Sequence, residues 1–164
     1  MVAPDDFRRV LSHFATGVTI VTTRDADGRP TGLTVSAFCS VSLDPPQILV
    51  CVDHKSQSYP SLRDRDHFAV NFLADAHEDV SRRFATTRLD KFDGVPHRLS
   101  PHGVPLIKGA LAQLECRVVS RHVEGDHTIL VGLVEEARNS AGEPLLYFRG
   151  KYHRLATPPS GAPS

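Results

Sequence analysis

A row of small hydroxyl side chains is the first feature of this sequence that could bind a ligand. Between residues 34 and 42, most even positions carry a hydroxyl: Thr34, Ser36, Ser40 and Ser42. Alternate residues of a strand share a face, so the odd positions are predicted to face the core: Val35, Ala37, Cys39 and Val41. A face of small side chains lets a flat heterocycle approach the backbone N–H and C=O groups. The same row also fits an exposed strand face that binds nothing, since such residues are common on strands.

Two basic segments could hold a phosphate group. Lys55 and Ser56 follow a predicted buried strand and open a short helix, whose first N–H groups would suit an anion. The second segment is a basic-aromatic cluster formed by residues 82–84 together with Lys91 and Phe92. Both segments also fit a simpler interpretation, a helix start and a helix face with solvated basic side chains.

A histidine follows the tight turn in Gly125-Asp126-His127 and precedes an apolar strand, so it is predicted at a rim, half exposed. A purely structural histidine remains the alternative. The nine histidines show neither HxH nor HExxH spacing, and the sequence therefore predicts no metal site. GxGxxG, Walker A and GxSxG motifs are missing, which argues against Rossmann, P-loop and hydrolase folds. Cys116 occupies a core-facing strand position and is not expected to act as a nucleophile.

Short helices interrupt the strands that must position these residues. A first helix is predicted behind Pro4, with a stop at Gly17 and apolar side chains at helical spacing: Phe7, Val10, Leu11 and Phe14. A second short helix is predicted over 58–65, and a third follows a capping box at 75–78. The proline- and glycine-rich interval 86–108 is predicted to be a long loop.

Strand patterns cover most of the remaining chain. They fall at residues 18–23, 31–43, 47–52, 67–73, 112–118, 128–134, 145–148 and 151–155. Their order does not fit a βαβ arrangement. The sequence therefore predicts a mainly β fold with short helices, either a small closed barrel or a sandwich.

Composition limits the class of protein. The 164 residues fit one domain, assigned to 1–156, with a disordered tail predicted at 157–164. The 19 basic and 19 acidic side chains cancel, so neither nucleic acid nor a membrane is an expected partner. Three widely spaced cysteines argue against a disulfide framework, and no secretory signal is visible, so we expect a cytoplasmic protein.

Six motifs in register resemble the flavin reductase family, in particular the reductase component of two-component flavin-dependent monooxygenases. They are Gly17–Thr22, Ser40–Pro46, Phe68–Leu73, Phe84-Ala85 with Asp90-Lys91-Phe92, Gly125-Asp126-His127 with Val131-Gly132, and Leu145–Gly150. The resemblance spans about residues 7–155. It implies an FMN-binding split β-barrel and a homodimer. It also implies FMN or FAD as flavin, NADH or NADPH as hydride donor, and a partner monooxygenase that receives reduced flavin.

The resemblance also implies roles for particular residues of this chain. The wall along the isoalloxazine ring would be formed by Thr34, Val35, Ser36, Ala37, Ser40 and Val41. The ribityl and phosphate neighbourhood would be formed by Asp53, His54, Lys55, Ser56, Arg83 and Phe84. His127 would lie beside the nicotinamide as the catalytic residue, and a second contact strip would be formed by Tyr147, Phe148, Arg149 and Gly150.

Three other functions remain as alternatives. One is another enzyme on the same barrel, such as a protein resembling pyridoxamine-phosphate oxidase, against which the Gly125-Asp126-His127 element argues. Another is a flavin-binding protein that stores or senses flavin without turnover. A metal-binding role based on the nine histidines is the third. In hydride transfer the cofactor supplies the chemistry, so the lack of an evident acid–base pair is expected for a flavin reductase.

Overall fold

The computed structural model describes residues 1–156, so the tail predicted at 157–164 lies outside the described residues. The α-helices are α1 (Pro4–Leu11), α2 (Tyr59–Asp64) and α3 (Glu78–Phe84), the last preceded by a 3-10 turn at Asp75–His77. The strands are β1 (Thr16–Gly17), β2 (Thr19–Arg24), β3 (Pro30–Val35), β4 (Phe38–Leu43), β5 (Pro46–Asp53), β6 (His67–Phe72), β7 (His97–Leu99), β8 (Pro105–Ile107), β9 (Ala112–Glu124), β10 (His127–Asn139), β11 (Leu146–Phe148) and β12 (Lys151–His153). No helix within these residues combines the length and apolar character needed to cross a membrane.

Seven strands form the main antiparallel sheet, in the order β3-β2-β6-β9-β10-β5-β4. Strands β3 and β5 also contact each other although they are not hydrogen-bonded neighbours. The sheet therefore curls back on itself, as a barrel requires. Two small sheets accompany it, β1-β11-β12 and β7-β8.

The apolar core lies in two main clusters. The first fills the inside of the curled sheet and includes Val21, Val50, Phe68, Cys116 and Leu130. The second lies where α3 and the small sheets pack against the barrel, and it includes Ile20, Leu73, Phe84, Ile107 and Leu145. Because β2 supplies alternate residues to both clusters, it is buried on both faces and joins the barrel to its outer elements.

The helix predictions are confirmed with small differences at the ends. The first helix ends at Leu11 instead of continuing toward Gly17, and its apolar side chains are exposed. The capping box predicted at 75–78 is wrong, because no side chain caps α3 and a 3-10 turn precedes it.

The prediction of one continuous strand over 31–43 is wrong. The chain breaks at Ser36 and Ala37, where the N–H of Phe38 donates to the carbonyl of Ser36. After this break Phe38 packs edge-on against the ring of Phe72, with ring centroids 5.0 Å apart. The predicted core face fails beyond Val35, because the other three odd positions are exposed: Ala37, Cys39 and Val41.

The interval 86–108 is not loop throughout. It contains the β7-β8 hairpin, whose buried residues Leu106 and Ile107 contribute to the core. The strands predicted at 112–118 and 128–134 are also longer, since β9 and β10 have 13 residues each. Their pairing is irregular at two places, between Val131 and Gly132 and between Val134 and Glu136.

Candidate active site

A cleft of about 970 Å³ lies between helix α1 and the sheet, and we call it the large cleft. Its walls come from α1, the Ser36-Ala37 break, strand β5 and the turn before β10. Sequence-predicted site residues from three separate segments meet there: Ser36, Ala37, His127, Tyr147 and Gly150. The large cleft is mostly apolar and has a few polar groups at its edge, which is typical of a small-molecule site.

The break between β3 and β4 shapes one wall of the large cleft. The carbonyl of Ala37 accepts a hydrogen bond from the N–H of Cys51, so the segment stays attached to β5 after it leaves the ladder. Ser36 and Ala37 are exposed, and their small side chains leave the backbone accessible. This wall can therefore receive the edge of a flat ring, as the hydroxyl-row hypothesis requires.

His127 lies at the edge of the large cleft as the first residue of β10, opposite Asp53 of β5. The turn before it contains Gly125 with a φ of +57°, a conformation that glycine adopts without strain. The prediction of a half-exposed histidine directly after a tight turn is confirmed. Nδ1 of His127 lies 2.7 Å from Oδ1 of Asp126, and this hydrogen bond lowers the pKa of the Asp126 carboxyl. Nε2 has no partner among residues 1–156 and can face a ligand.

A smaller cleft of about 290 Å³, the small cleft, contains the predicted phosphate neighbourhood. The predicted residues that line it are Thr34, Asp53, Lys55, Ser56 and Phe84. The two clefts lie side by side. Thr34 and Asp53 line the small cleft. Ser36 and Cys51, each two residues away along the chain, line the large cleft. One extended ligand could therefore reach from the large cleft into the small one.

The loop after β5 holds Lys55 at the small cleft. Oδ1 of Asp53 accepts a hydrogen bond from the N–H of Lys55 at 2.8 Å, and the carbonyl of Asp53 accepts one from Ser56. These bonds fix the turn and leave the Lys55 side chain exposed. An exposed ammonium beside a hydroxyl is suited to a phosphate.

Lys91 also lines the small cleft and is buried, with 4% of its surface exposed. Its Nζ donates to the carbonyls of Gly32 and Phe84 at 3.1 and 3.2 Å. No carboxylate of the described chain pairs with it, and burial lowers the pKa of its ammonium group. The sequence placed Lys91 in a basic-aromatic cluster that could hold a phosphate or be solvated, but a residue pattern does not show that this lysine is buried and bound to two carbonyls.

Several other predicted residues have side chains engaged elsewhere. Val35 is buried in the first core cluster, so only its backbone can face a ligand. Nε2 of His54 hydrogen-bonds the hydroxyl of Thr128 at 2.9 Å, and its ring packs on Tyr59. Arg83 donates to the carbonyl of Asp93 and so secures the loop after α3.

The remaining predicted residues are not among those that line either cleft. Ser40 and Val41 lie exposed on β4. Phe148 ends β11, and the guanidinium of Arg149 lies 5.3 Å from the centre of its ring. Arg149 has a φ of +48°, and this tight turn brings Gly150 to the large cleft.

The cysteines do not form a reactive centre. All three are free thiols, and Cys51 lines the large cleft. Burial raises the pKa of Cys116 to about 12 and also raises that of Cys51. Cys116 is therefore a neutral core side chain, as predicted.

These features define the class of the protein: a small, mainly β barrel with an elongated, nucleotide-sized cleft. A family model described as "Flavin reductase like domain" matches residues 11–156. The chain belongs to the flavin reductase family, and its fold is the split barrel of these reductases.

Curated relatives and solved structures agree with this membership. The chain is 41% identical over 156 residues to a flavin reductase of Pseudomonas putida, covering 94% of this chain and 92% of that protein. It is 40% identical over 154 residues to the reductase subunit HsaB of a flavin-dependent monooxygenase from Mycobacterium tuberculosis, covering 92% and 82%. The NADH:FAD oxidoreductase SgcE6 of Streptomyces globisporus, solved with NAD and FAD fragments, superposes with a TM-score of 0.89 at 39% identity and 99% coverage of both chains. Some relatives are longer, since the chain spans 48% of a probable flavin reductase of Rhizobium meliloti that is 42% identical over 149 residues.

Proposed function

We propose that this protein is an NAD(P)H:flavin oxidoreductase that transfers a hydride from NADH to FMN or FAD and supplies reduced flavin to a partner monooxygenase. The observation that carries the proposal is the position of His127 at the edge of a cleft that also contains the Ser36-Ala37 break and Tyr147. A flavin on one wall and a nicotinamide beside the histidine would share this cleft.

The residues present fit a flavin. The large cleft, at about 970 Å³, is at the upper end of the range for small-molecule sites. Its small-residue wall can receive the isoalloxazine ring, and the adjoining small cleft offers Lys55 and Ser56 to the phosphate. The flavin would thus lie along β3 and β5, with its phosphate end beside the start of α2.

The protein's part in the reaction is binding and orientation. The nicotinamide supplies the hydride and the flavin accepts it, so no side chain has to act as a nucleophile. We assign to His127 the orientation of the nicotinamide, through Nε2, while Asp126 holds the imidazole through Nδ1. Tyr147 and Gly150 would close the opposite side of the cleft and restrict access of water. Correct placement of two reactants can supply much of the rate enhancement.

We also propose a homodimer. Helix α1 buries none of its residues, and its apolar side chains are exposed: Phe7, Val10 and Leu11, with Phe14 just beyond its end. An apolar patch of this kind on a small domain usually marks an interface. A second copy of the chain would cover α1 and help to enclose the large cleft, whose walls include Phe7, Leu11 and Phe14.

A single domain over residues 1–156 and a cytoplasmic location complete the proposal. Three free thiols support a reducing compartment, where disulfides are rare.

Steady-state consumption of NADH, with FMN, FAD and riboflavin added in turn, tests the proposal. Flavin-dependent oxidation of NADH is the expected result, and repeating the assay with NADPH identifies the preferred donor. A protein that binds flavin but does not consume either nucleotide would instead be a storage or sensing protein. Absence of both flavin binding and turnover would refute the flavin function altogether.

A further inference from the structure

A second cluster of functional groups lies outside the clefts that would bind flavin and nicotinamide. The imidazoles of His67 and His102 and the carboxylate of Glu135 each offer one ligand atom, and these atoms lie within 4.8 Å of one another. His67 Nε2 lies 3.3 Å from Glu135 Oε2. The two rings are stacked, with centroids 4.2 Å apart, so the exposed His102 ring has to turn out of the stack for both imidazoles to bind one ion in their ring planes. Two imidazoles and one carboxylate are the protein ligands of many zinc centres that keep one position open.

Three separate elements bring this cluster together. His67 is the first residue of β6, and His102 lies in the turn between β7 and β8. Glu135 is the extra residue at the irregularity of β10, where pairing shifts between Val134 and Glu136. A β-bulge redirects a side chain, and bulges are frequent beside functional sites. This bulge turns Glu135 toward the start of β6.

A surrounding set of hydrogen bonds orients the three groups. Nδ1 of His102 lies 3.1 Å from Oε1 of the buried Glu115, and this contact leaves Nε2 of His102 available for a metal. Nε of Arg117 donates to Oε1 of Glu135 at 3.0 Å. Metal-binding histidines usually donate their second ring N–H to a carboxylate or carbonyl in this way.

Glu115 is a buried carboxylate beside the cluster and is only partly satisfied by hydrogen bonds. Glu115 is 2% exposed, and its Oε1 already accepts a hydrogen bond from the hydroxyl of Ser100. Its Oε2 is buried and has no hydrogen-bond partner among residues 1–156. A buried carboxylate oxygen without a partner is costly. A cation held by His102 would favour the buried negative charge of Glu115, which contacts His102 through Oε1.

A polar cleft gives access to the cluster. His67 and His102 line a cleft of about 490 Å³. Four carboxylates and two guanidinium groups also line it: Asp25, Asp27, Asp64, Asp66, Arg24 and Arg65. Asp27 and Asp64 are paired with Arg29 and Arg63, so the cleft carries charges of both signs.

We propose that His67, His102 and Glu135 bind one Zn²⁺ ion, with Glu115 as a positioning residue and a water molecule in the fourth position. Two imidazole ligands favour Zn²⁺ over Mg²⁺ or Ca²⁺, which prefer oxygen. The ion would tie the β7-β8 turn to the sheet at β6 and β10. The site is independent of the flavin function. The sequence predicted no metal site, because His67 and His102 are 35 residues apart and meet only in the folded chain.

Titration of metal-free protein with zinc sulfate against a chromogenic chelator tests the proposal. We expect one Zn²⁺ per chain and a higher Tm on saturation, since binding to the native state alone stabilises it. His102→Ala, in an exposed turn, should weaken binding at least tenfold and abolish the rise in Tm. Glu115→Gln should weaken binding by about 10–100-fold, the range for a group that supports a metal ligand.

His122→Ala serves as the matched control, because this exposed histidine lies on β9 outside the cluster. It should bind Zn²⁺ as the unmodified protein does. The proposal is overturned if no stoichiometric binding occurs, if His102→Ala binds as tightly as His122→Ala, or if both variants lose binding equally. The His102 variant keeps the test decisive should His67→Ala fail to fold.

Discussion

Asp126 and His127 are adjacent in sequence and joined side chain to side chain by a 2.7 Å hydrogen bond at the edge of the large cleft. The bond lowers the pKa of the Asp126 carboxyl from its ordinary value of 3.8. Because the folded-state pKa is depressed, the pairing is complete above pH 3.8 and is lost only as the pH falls through the lowered value. The orientation of the His127 ring is therefore maintained throughout the neutral range.

Replacement of His127 tests whether this ring positions the nicotinamide. His127→Ala should raise the KM for NADH, lower kcat, or both, and the flavin Kd should stay within about threefold. The loss in kcat/KM should correspond to about 1–3 kcal/mol, as for one hydrogen bond to a charged or developing-charge group. Steady-state kinetics and fluorescence titration with flavin measure the two effects separately.

His122→Ala again provides the control and should leave both parameters unchanged. Normal turnover in His127→Ala would contradict the assigned role. Tyr147 and Gly150 would then be the residues expected to orient the nicotinamide. Loss of the folded state, detected by circular dichroism, would instead make His127 a structural residue.

Lys55 is expected to distinguish phosphorylated from unphosphorylated flavin. Removal of its exposed ammonium in Lys55→Ala should raise the Kd for FMN about 2–5-fold, the effect of one exposed charge pair. The Kd for riboflavin, which has no phosphate, should change less than twofold. Lys108→Ala, another exposed lysine, is the control and should affect neither ligand. Equal weakening of FMN and riboflavin binding would place the phosphate elsewhere.

Lys91 should make stability depend on pH in the alkaline range. Burial lowers the pKa of its ammonium group below the ordinary 10.5, so between the folded-state pKa and 10.5 the unfolded chain binds more protons. The free energy of unfolding contributed by this group therefore rises with pH across that interval. Lys91→Met should lower stability, since the carbonyls of Gly32 and Phe84 lose their donor.

Lys91→Met should have a lower free energy of unfolding than the unmodified protein, and this difference should grow as the pH approaches 10.5. Urea unfolding at several alkaline pH values measures this difference. A deficit that stays constant with pH would show that the ammonium is not desolvated in the native protein. Lys108→Met, in which the replaced lysine is exposed, should show no such trend.

The exposed face of α1 predicts the oligomeric state. Light scattering should return about twice the chain mass of 18.0 kDa at micromolar concentration. The double variant Phe7→Glu and Leu11→Glu should return the mass of one chain, because it places charges where apolar side chains are expected to be covered. Leu89→Glu changes an exposed apolar residue outside α1 and should remain dimeric. A monomeric unmodified protein would contradict the proposal.

Local residue patterns predicted helices and strands well where each face of an element is either buried or exposed along its length. Alternation in β9 and the apolar run after a turn in β10 correctly gave strands. A first-turn proline in α2 and an i, i+4 apolar pair in α3 correctly gave helices. The family motifs also located the turn that presents His127. The failures occurred where tertiary contacts override local pattern, as at Phe38, which leaves the hydroxyl row to pack on Phe72.

The site required long-range contacts that no residue pattern encodes. Lys91 lies buried against Gly32, 59 residues away, and His54 turns inward to Thr128, 74 residues away. The β7-β8 hairpin was hidden by its prolines and glycines, although Leu106 and Ile107 are fully buried. For the same reason the cluster of His67, His102 and Glu135 has no signature in the sequence.

Anaerobic mixing of the protein, FMN and a limiting amount of NADH measures whether the protein transfers a hydride from NADH to the flavin. In the absence of oxygen, reduced flavin persists, so loss of the flavin's visible absorbance reports hydride transfer itself. We expect the flavin to be bleached in a one-to-one ratio with NADH consumed, at a rate that depends on the protein and falls in His127→Ala. If the flavin is not bleached faster with protein than without it, for FMN and FAD alike, the protein is not a flavin reductase.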